Sequence, residues 1–484
     1  DSIMITTQDG YGTYGTRRLR KMNIYNGRIT PGERSSIRRA TFVVDRKGTP
    51  IIQWGADEEG ENIVTYRDKD GQWESLPNAK DYQNAWQSDE QHVILKRDAG
   101  NNVYELVDFD AITHKITVLA TSANADMSPI LDKDEKIIGY RTEKDGKPVE
   151  IYFDEQSEEA QFRRLIERTF KTAKTSVYSS NKDGSRRMIS VWSDQEPGKH
   201  YLYDANSKTK LRLLAASKQK IKRNRFAKMK PIKFTARDGL ELHGYISQPV
   251  GSTGNDPMVL RVHGGPFGPR DNWGWNREVQ LLTSNGYAVL QVNFRGSGGY
   301  GEQFEESGHL QWGKAMQDDL TDGVAWAVKN GYANKDKLCI YGGSYGGYAA
   351  LMGVVKNPDL YKCAIGYIGV YDLNIMAEVG DIPETKEGIH FVETTIGKKD
   401  APDTIKNSPS RNASKIKAGI FLVHGKQDNR APMEHYEAMS EALDKIGKPY
   451  EKMIADGEGH GFSENENQYK LYGKMLTFLA KYLK

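Results

Sequence analysis

Four apolar runs in the first half of the chain end on the same signal, an acidic residue: Tyr66-Arg67-Asp68, Leu106-Val107-Asp108, Tyr152-Phe153-Asp154 and Leu202-Tyr203-Asp204. The aspartates stand at steps of 40, 46 and 50 residues. A second landmark keeps pace: Asp45-Arg46-Lys47-Gly48, Ser88-Asp89-Glu90, Asp132-Lys133-Asp134 and Asn181-Lys182-Asp183-Gly184 each precede an apolar strand. Aspartate, asparagine and glycine reverse a chain because they tolerate turn conformations and hydrogen-bond their own backbone. A period of this length, filled by about four short strands per repeat, predicts a β-propeller blade. The alternative is a β-sandwich with evenly spaced turns. About four and a half repeats fit before the pattern changes, against the usual four to eight blades. The stretch from Arg18 to Ile29 reads like the outer strands of a blade whose inner strands would lie upstream of Asp1, so the propeller is expected to be incomplete at its amino end.

The pattern changes across a basic run. Lys218, Lys220, Lys222, Arg223, Arg225, Lys228, Lys230 and Lys233 fall between Ser217 and Lys233 with no acid among them. The run holds a single aromatic, Phe226, and no interleaved series of base-stacking rings, so it reads as a solvated connection rather than a nucleic-acid patch. The whole chain, with 68 basic and 65 acidic residues over 484 positions, has a net charge of +3 and no field to attract nucleic acid. No apolar run approaches the roughly 18 residues of a membrane span. The expected organisation is a partial propeller over 1–216, a basic linker over 217–230 and a second domain over 231–484. The two cysteines, Cys339 and Cys363, fall in apolar strand-like stretches and are expected as free, buried thiols. No HExxH, CxxC or GxxxxGK[ST] pattern occurs, so neither a metal nor a nucleotide cofactor is expected.

Beyond Pro231, strands and helices alternate as in a parallel sheet. Strands are expected over 258–262, 288–292, 337–341, 364–368, 420–423 and 451–455, with helices over 276–284, 316–329, 348–355, 433–446 and 468–483. The strand ending at Tyr341 runs into Gly342-Gly343-Ser344-Tyr345-Gly346-Gly347-Tyr348 and then a small-residue helix. This Gly-x-Ser-x-Gly pattern is a nucleophile elbow, in which a serine sits on a turn so tight that its neighbours need to be glycine. The fold class expected is an α/β-hydrolase domain preceded by an all-β propeller.

A serine hydroxyl becomes a nucleophile when an imidazole removes its proton and an acid fixes that imidazole. In this fold the chain order is serine, acid, histidine. Of the four histidines after Ser344, His390, His424, His435 and His460, the last lies in a glycine-rich loop after a strand, Gly457-Glu458-Gly459-His460-Gly461. It is the expected base. Asp428 follows the 420–423 strand in a loop at the carboxyl edge of the sheet and is the expected acid; Asp372, one strand earlier, is its rival. Oxyanion donors are expected from the amide of Tyr345 and from Gly265, in His263-Gly264-Gly265-Pro266 after the 258–262 strand. His263 itself is read as a structural strand-end residue.

Five motifs, His263 to Pro266, Asn293-Phe294-Arg295-Gly296-Ser297-Gly298-Gly299-Tyr300-Gly301, Gly342 to Tyr348, His424 to Pro432 and Gly457 to His460, together resemble the prolyl oligopeptidase family of serine peptidases. The resemblance is strongest to its acylaminoacyl-peptidase and bacterial dipeptidyl-peptidase-like branch. It implies a propeller lying over the active site and admitting short peptides, and cleavage through an acyl-enzyme on Ser344. It also implies that Phe267, Val370, Tyr371 and Ala431 line the specificity pocket. Ala431 stands where the family's Asp-x-Arg-Val-Pro motif often has valine, which puts a strict proline requirement in doubt. Dipeptidyl peptidases of the family hold the substrate amino terminus with a propeller glutamate pair; Glu58-Glu59 and Glu158-Glu159 are pairs here, but both read as solvated turn or strand residues. A carboxylesterase would use the same triad, and an interaction module with an inert hydrolase remnant is the third reading. Oligomeric state and compartment, bacterial cytoplasm or periplasm, stay open.

Overall fold

The computed structural model describes residues 2–9, 16–45, 47–56, 62–68, 70–87, 91–123, 125–217 and 225–484. The first half is built of successive antiparallel sheets, each made of consecutive strands. The first holds seven strands from Ser2–Asp9 to Trp73–Ser75; the next holds Tyr82–Gln87, His92–Asp98, Val103–Asp110 and Ile116–Ala123. A three-stranded sheet (Ser128–Leu131, Ile137–Lys144, Lys147–Tyr152) and a four-stranded one (Lys174–Ser180, Arg186–Ser193, Glu196–Asp204, Leu211–Ala216) follow. The seven-stranded sheet joins two units through pairing of Thr16–Asn23 with Arg34–Val44, giving a propeller arrangement of five blades. Alternation drives the packing: Ile52, Val64, Val93, Leu95, Val107 and Phe109 point inward and are sealed from water.

The turn chemistry follows the sequence pattern with one displacement. Asp68, Asp154 and Asp204 each accept hydrogen bonds from amides two residues on, at 2.9, 2.8 and 3.0 Å. In the second sheet Asp108 lies inside a strand against His92 at 2.8 Å, and Asp110 caps the turn through the amides of Ile112 and Thr113. Glu158 and Glu159, expected in a turn or strand, open the helix Glu158–Thr169 behind Ser157, whose hydroxyl accepts from the Ala160 amide. Of the basic connection, residues 218–224 lie outside the described residues, and Met229, assigned there to the linker, already begins the next sheet.

That sheet has eight strands, in the order Met229–Thr235, Glu241–Ser247, Ala288–Asn293, Asp256–Val262, Ala333–Gly343, Cys363–Tyr367, Gly419–Gly425 and Glu451–Ala455. The six expected strands are present and mutually parallel. Two antiparallel strands ahead of them were missing from the expectation. Helices cover both faces, so the strands are apolar on both sides. Along Ala333–Gly343, Leu338 and Ile340 enter one core and Cys339 and Tyr341 the other. Cys339 and Cys363, expected as free thiols, are joined in a disulfide with Cα atoms 4.8 Å apart. They are register partners on adjacent parallel strands, a relation that a separation of 24 positions conceals in the sequence. No helix among the described residues is long and apolar enough to cross a membrane.

Candidate active site

Ser344 stands where strand Ala333–Gly343 meets helix Tyr345–Lys356, with φ 59° and ψ −122°. A β-carbon is strained there, and such strain is held only where surrounding structure enforces it. The enforcement is close packing: a Cβ on Gly346 would lie 2.3 Å from the carbonyl oxygen of Val262, and one on Gly342 2.5 Å from the Gly346 backbone. The Ser344 amide donates to Tyr367 O at 3.0 Å, pinning the turn to the neighbouring strand.

Asp428 is buried at the end of strand Gly419–Gly425. Its Oδ1 accepts from the amides of Arg430 and Ala431, both at 2.9 Å. His460 Nδ1 lies 3.0 and 2.9 Å from its two oxygens. Burial opposes ionisation of Asp428, but the hydrogen bond from His460, the Ala431 amide and nearby imidazole charge outweigh it and lower the pKa. His460 and Ser344 face the same cavity of about 670 Å³.

The rival groups are engaged elsewhere. Asp372 caps helix Leu373–Met376 and pairs with Arg411 at 2.7 Å. His390 is exposed on helix Lys386–Thr395. His424 donates from Nε2 to Ala431 O at 2.7 Å, and burial lowers its pKa. His435 lies inside helix Met433–Lys445, where burial and the charge of His424 push it down to about 3. His263 ends its strand bonded to Ser297 Oγ at 2.9 Å, the structural place expected of it. Its neighbour Gly264 passes so near the nucleophile turn that a Cβ on it would lie 3.4 Å from Ser344 Cβ. Gly265, at φ 116°, and Tyr345 line the cavity beside Ser344.

The profile of the prolyl oligopeptidase family matches residues 273–484, which include Ser344, Asp428 and His460. That domain belongs to the prolyl oligopeptidase family. Dipeptidyl aminopeptidase BIII of Pseudoxanthomonas mexicana is 32% identical over 324 residues, covering 64% of this chain and 46% of that protein. Dipeptidyl peptidase family member 6 of Caenorhabditis elegans is 30% identical over 335 residues, covering 63% and 45%. The chain thus spans about half the length of the curated relatives it matches. Among solved structures, puromycin hydrolase superposes with a TM-score of 0.74 at 19% identity, over 99% of this chain and 76% of that one. Pyrococcus horikoshii acylaminoacyl peptidase gives 0.71 at 19% identity, over 99% and 78%. These likenesses establish propeller plus hydrolase as the fold.

Of the four pocket residues implied by the family resemblance, Phe267 and Val370 lie on the cavity wall. Tyr371 and Ala431 do not; both are fully buried behind it. Tyr371 packs beneath Gly369, where a Cβ would lie 2.5 Å from its ring. Ala431 serves the acid, giving its amide to Asp428 and its carbonyl to His424. The walls that sequence reasoning missed are Trp312, Met376, Ile382, Phe391 and Ile396, with Asp381 and Arg430 paired at 2.6 Å on the rim. For Met376, Ile382, Phe391 and Ile396 the only sequence signal was apolar residues in a stretch, 373–396, that carried no motif; Trp312 lies outside that stretch. Glu58-Glu59 lies outside the described residues. Glu159 already holds Arg163 at 2.8 Å and Arg187 at 2.7 Å.

Glu458 is a further residue without a motif of its own. Its carboxylate is completely buried two residues before His460. It accepts from the amides of Ser463 (2.7 Å) and Glu464 (3.1 Å) and from Asn467 Nδ2 (2.8 Å), tying the loop to the start of helix Asn465–Leu483. Glu458→Gln puts an amide donor against those donors and is expected to lower unfolding free energy by about 2 kcal/mol. It is also expected to lower kcat more than it raises KM, because His460 rides on this loop; melts and steady-state kinetics on one preparation read both.

Burial opposes the ionisation of Glu458 too, yet these donors hold its pKa below the ordinary value of 4.5, as Asp428 is held below 3.8. Lowered carboxylates stabilise the fold above their unfolded-state values and lose that contribution as pH falls through the folded-state ones. The unfolding midpoint is expected to start falling as the pH drops below about 4.5, with a shallower fall in Glu458→Gln. An equal acid slope in the two proteins would refute this assignment.

Proposed function

We propose that the chain is a serine peptidase acting on short peptides. Ser344 Oγ attacks the scissile carbonyl carbon while His460 takes the hydroxyl proton, and Asp428 holds the imidazole with Nδ1 as the donor. The carbonyl oxygen, now carrying the negative charge, is received by the amides of Tyr345 and Gly265. Collapse of the tetrahedral adduct breaks the C–N bond as His460 returns its proton to the leaving amine. Water, deprotonated by the same imidazole, then cleaves the Ser344 ester and restores the hydroxyl. The observation that carries the reading is the His460 Nδ1 bond to a buried, amide-fixed carboxylate, on the wall of the cavity that Ser344 faces. Peptide substrates are supported by the relatives, whose names include dipeptidyl aminopeptidase and acylamino-acid-releasing enzyme. The apolar cavity interior supports an uncharged side chain on the acyl side of the bond. The domain limits we propose are 1–216 for the propeller and 229–484 for the hydrolase, the second moved from the expected 231 to the start of strand Met229–Thr235.

A peptide-library digest read by mass spectrometry, run beside p-nitrophenyl esters, tests this reading. Peptide cleavage with fluorophosphonate labelling of Ser344 supports it. Turnover of esters without peptides makes the protein a carboxylesterase, and absence of labelling makes the hydrolase domain inert.

A further inference from the structure

The propeller touches the hydrolase domain at the loops that shape the oxyanion site. The stretch from His263 to Asp271, which carries Gly265, is bolted along its length to the stretch from Asn293 to Tyr300. His263 Nε2 meets Ser297 Oγ at 2.9 Å, and the Gly298 amide donates to Pro269 O at 3.4 Å. Asn293 Oδ1 accepts from the Asp271 amide, and its Nδ2 donates to Asp271 O, both at 2.9 Å. Gly265 itself rests on Pro269, whose Cδ would lie 3.0 Å from an added Cβ.

Both stretches are then held from the other side by propeller residues. The Asp126 amide donates to Gly299 O at 3.1 Å. Asn102 Oδ1 accepts from the Phe304 amide at 3.1 Å and Asp98 Oδ2 from the Glu302 amide at 3.3 Å, so two propeller side chains take the first amides of helix Glu302–Glu306. Glu143 Oε2 pairs with Arg270 Nη2 at 3.2 Å, the two side chains being 13% and 14% exposed. The Arg270 guanidinium also lies 4.8 Å from the centre of the Tyr300 ring. Tyr300 OH in turn accepts at 2.7 Å from Nδ2 of Asn293, the same side chain that binds Asp271, so the ring under Arg270 is tied within its own stretch.

We propose that this propeller face is part of the reaction machinery and not only a screen over the cavity. Glu143 acts through Arg270, and Asn102 through the Phe304 amide, as positioning residues that hold the Gly265 amide where the oxyanion forms. A displacement of about 1 Å at a catalytic donor can cost about a hundredfold in rate, so loss of these remote anchors is felt in chemistry. The inference rests on the acyl-enzyme reading given above.

The test uses the full chain and p-nitrophenyl acetate, a substrate too small for a propeller screen to select. Fluorophosphonate labelling of Ser344 in the unmodified protein first establishes the nucleophile; absence of labelling overturns the acyl-enzyme reading, and with it this one. Given labelling, Glu143→Gln and Asn102→Ala are each expected to lower kcat by about 10- to 100-fold with KM changed less than about threefold. Asp204→Asn, which breaks the Arg186 pair on a blade surface, is expected to leave both constants alone. In a Gly265→Ala background, where the donor is already displaced, Glu143→Gln is expected to cost little more. A kcat within about twofold of the unmodified protein for both propeller variants, or the same loss from Glu143→Gln with and without Gly265→Ala, overturns the proposal while leaving the nucleophile assigned.

Discussion

Ser344→Ala is expected to lower kcat about a millionfold on any substrate the protein turns over, since removing the nucleophile of a triad leaves only the small acceleration from binding and oxyanion stabilisation. In the proposed mechanism His460 takes the Ser344 proton and the Tyr345 and Gly265 amides receive the adduct, so each depends on this hydroxyl. The substitution removes one oxygen and leaves the backbone contacts of the elbow, the amide bond to Tyr367 O and the onset of helix Tyr345–Lys356, in place. Stability is therefore expected to change little, and Ser344→Gly separates chemistry from folding still more sharply. At φ 59° and ψ −122° a side chain is strained, so glycine is expected to raise the unfolding free energy by about 1 kcal/mol while abolishing turnover just as fully. Steady-state kinetics, fluorophosphonate labelling and thermal melts on the three proteins check all of this. Turnover by Ser344→Ala within about a hundredfold of the unmodified enzyme would place the nucleophile elsewhere.

Asp428→Asn carries the second-largest expected effect, a fall in kcat of about ten-thousandfold. Asparagine fills the same volume, and its oxygen still accepts from the Arg430 and Ala431 amides that now bind Asp428 Oδ1. Its nitrogen then faces His460 Nδ1, which Asp428 Oδ2 meets at 2.9 Å. A donor there forces Nδ1 to accept, so the imidazole proton moves to Nε2 and the ring can no longer take a proton from serine. The loss is one of tautomer rather than of position. KM should hold, and Ser344 should react with fluorophosphonate far more slowly. An Asp428→Asn enzyme retaining more than about a tenth of kcat would return the acid role to another carboxylate. Asp372 would then be first, although its pairing with Arg411 and its cap on helix Leu373–Met376 argue against it.

The three residues of the proposed triad were legible because each obeys a local rule. Ser344 needs glycines at fixed offsets on a strand-to-helix turn, while Asp428 and His460 need loops at the carboxyl ends of later strands; a few adjacent residues encode each of these. The blade repeat was legible for the same reason, since alternation and turn-forming aspartates act within one hairpin. Even there the signal slipped by two residues at Asp108, because strand and turn aspartates look alike until Asp110 is seen capping the turn.

What the amino-acid sequence determined by itself was therefore the kind of machine: a strand-repeat domain, a parallel α/β domain, and a serine, an acid and a histidine in working order along the chain. Tertiary structure alone decided which surfaces those residues face. It made register partners of Cys339 and Cys363, put Tyr371 and Ala431 behind the cavity wall, and brought Trp312, Met376 and Phe391 onto it. It also set Glu143 and Asn102 against loops far along the chain. These pairings join segments whose own sequences carry no mark of the partner, and each is fixed only by the sum of many weak contacts made when the two cores close.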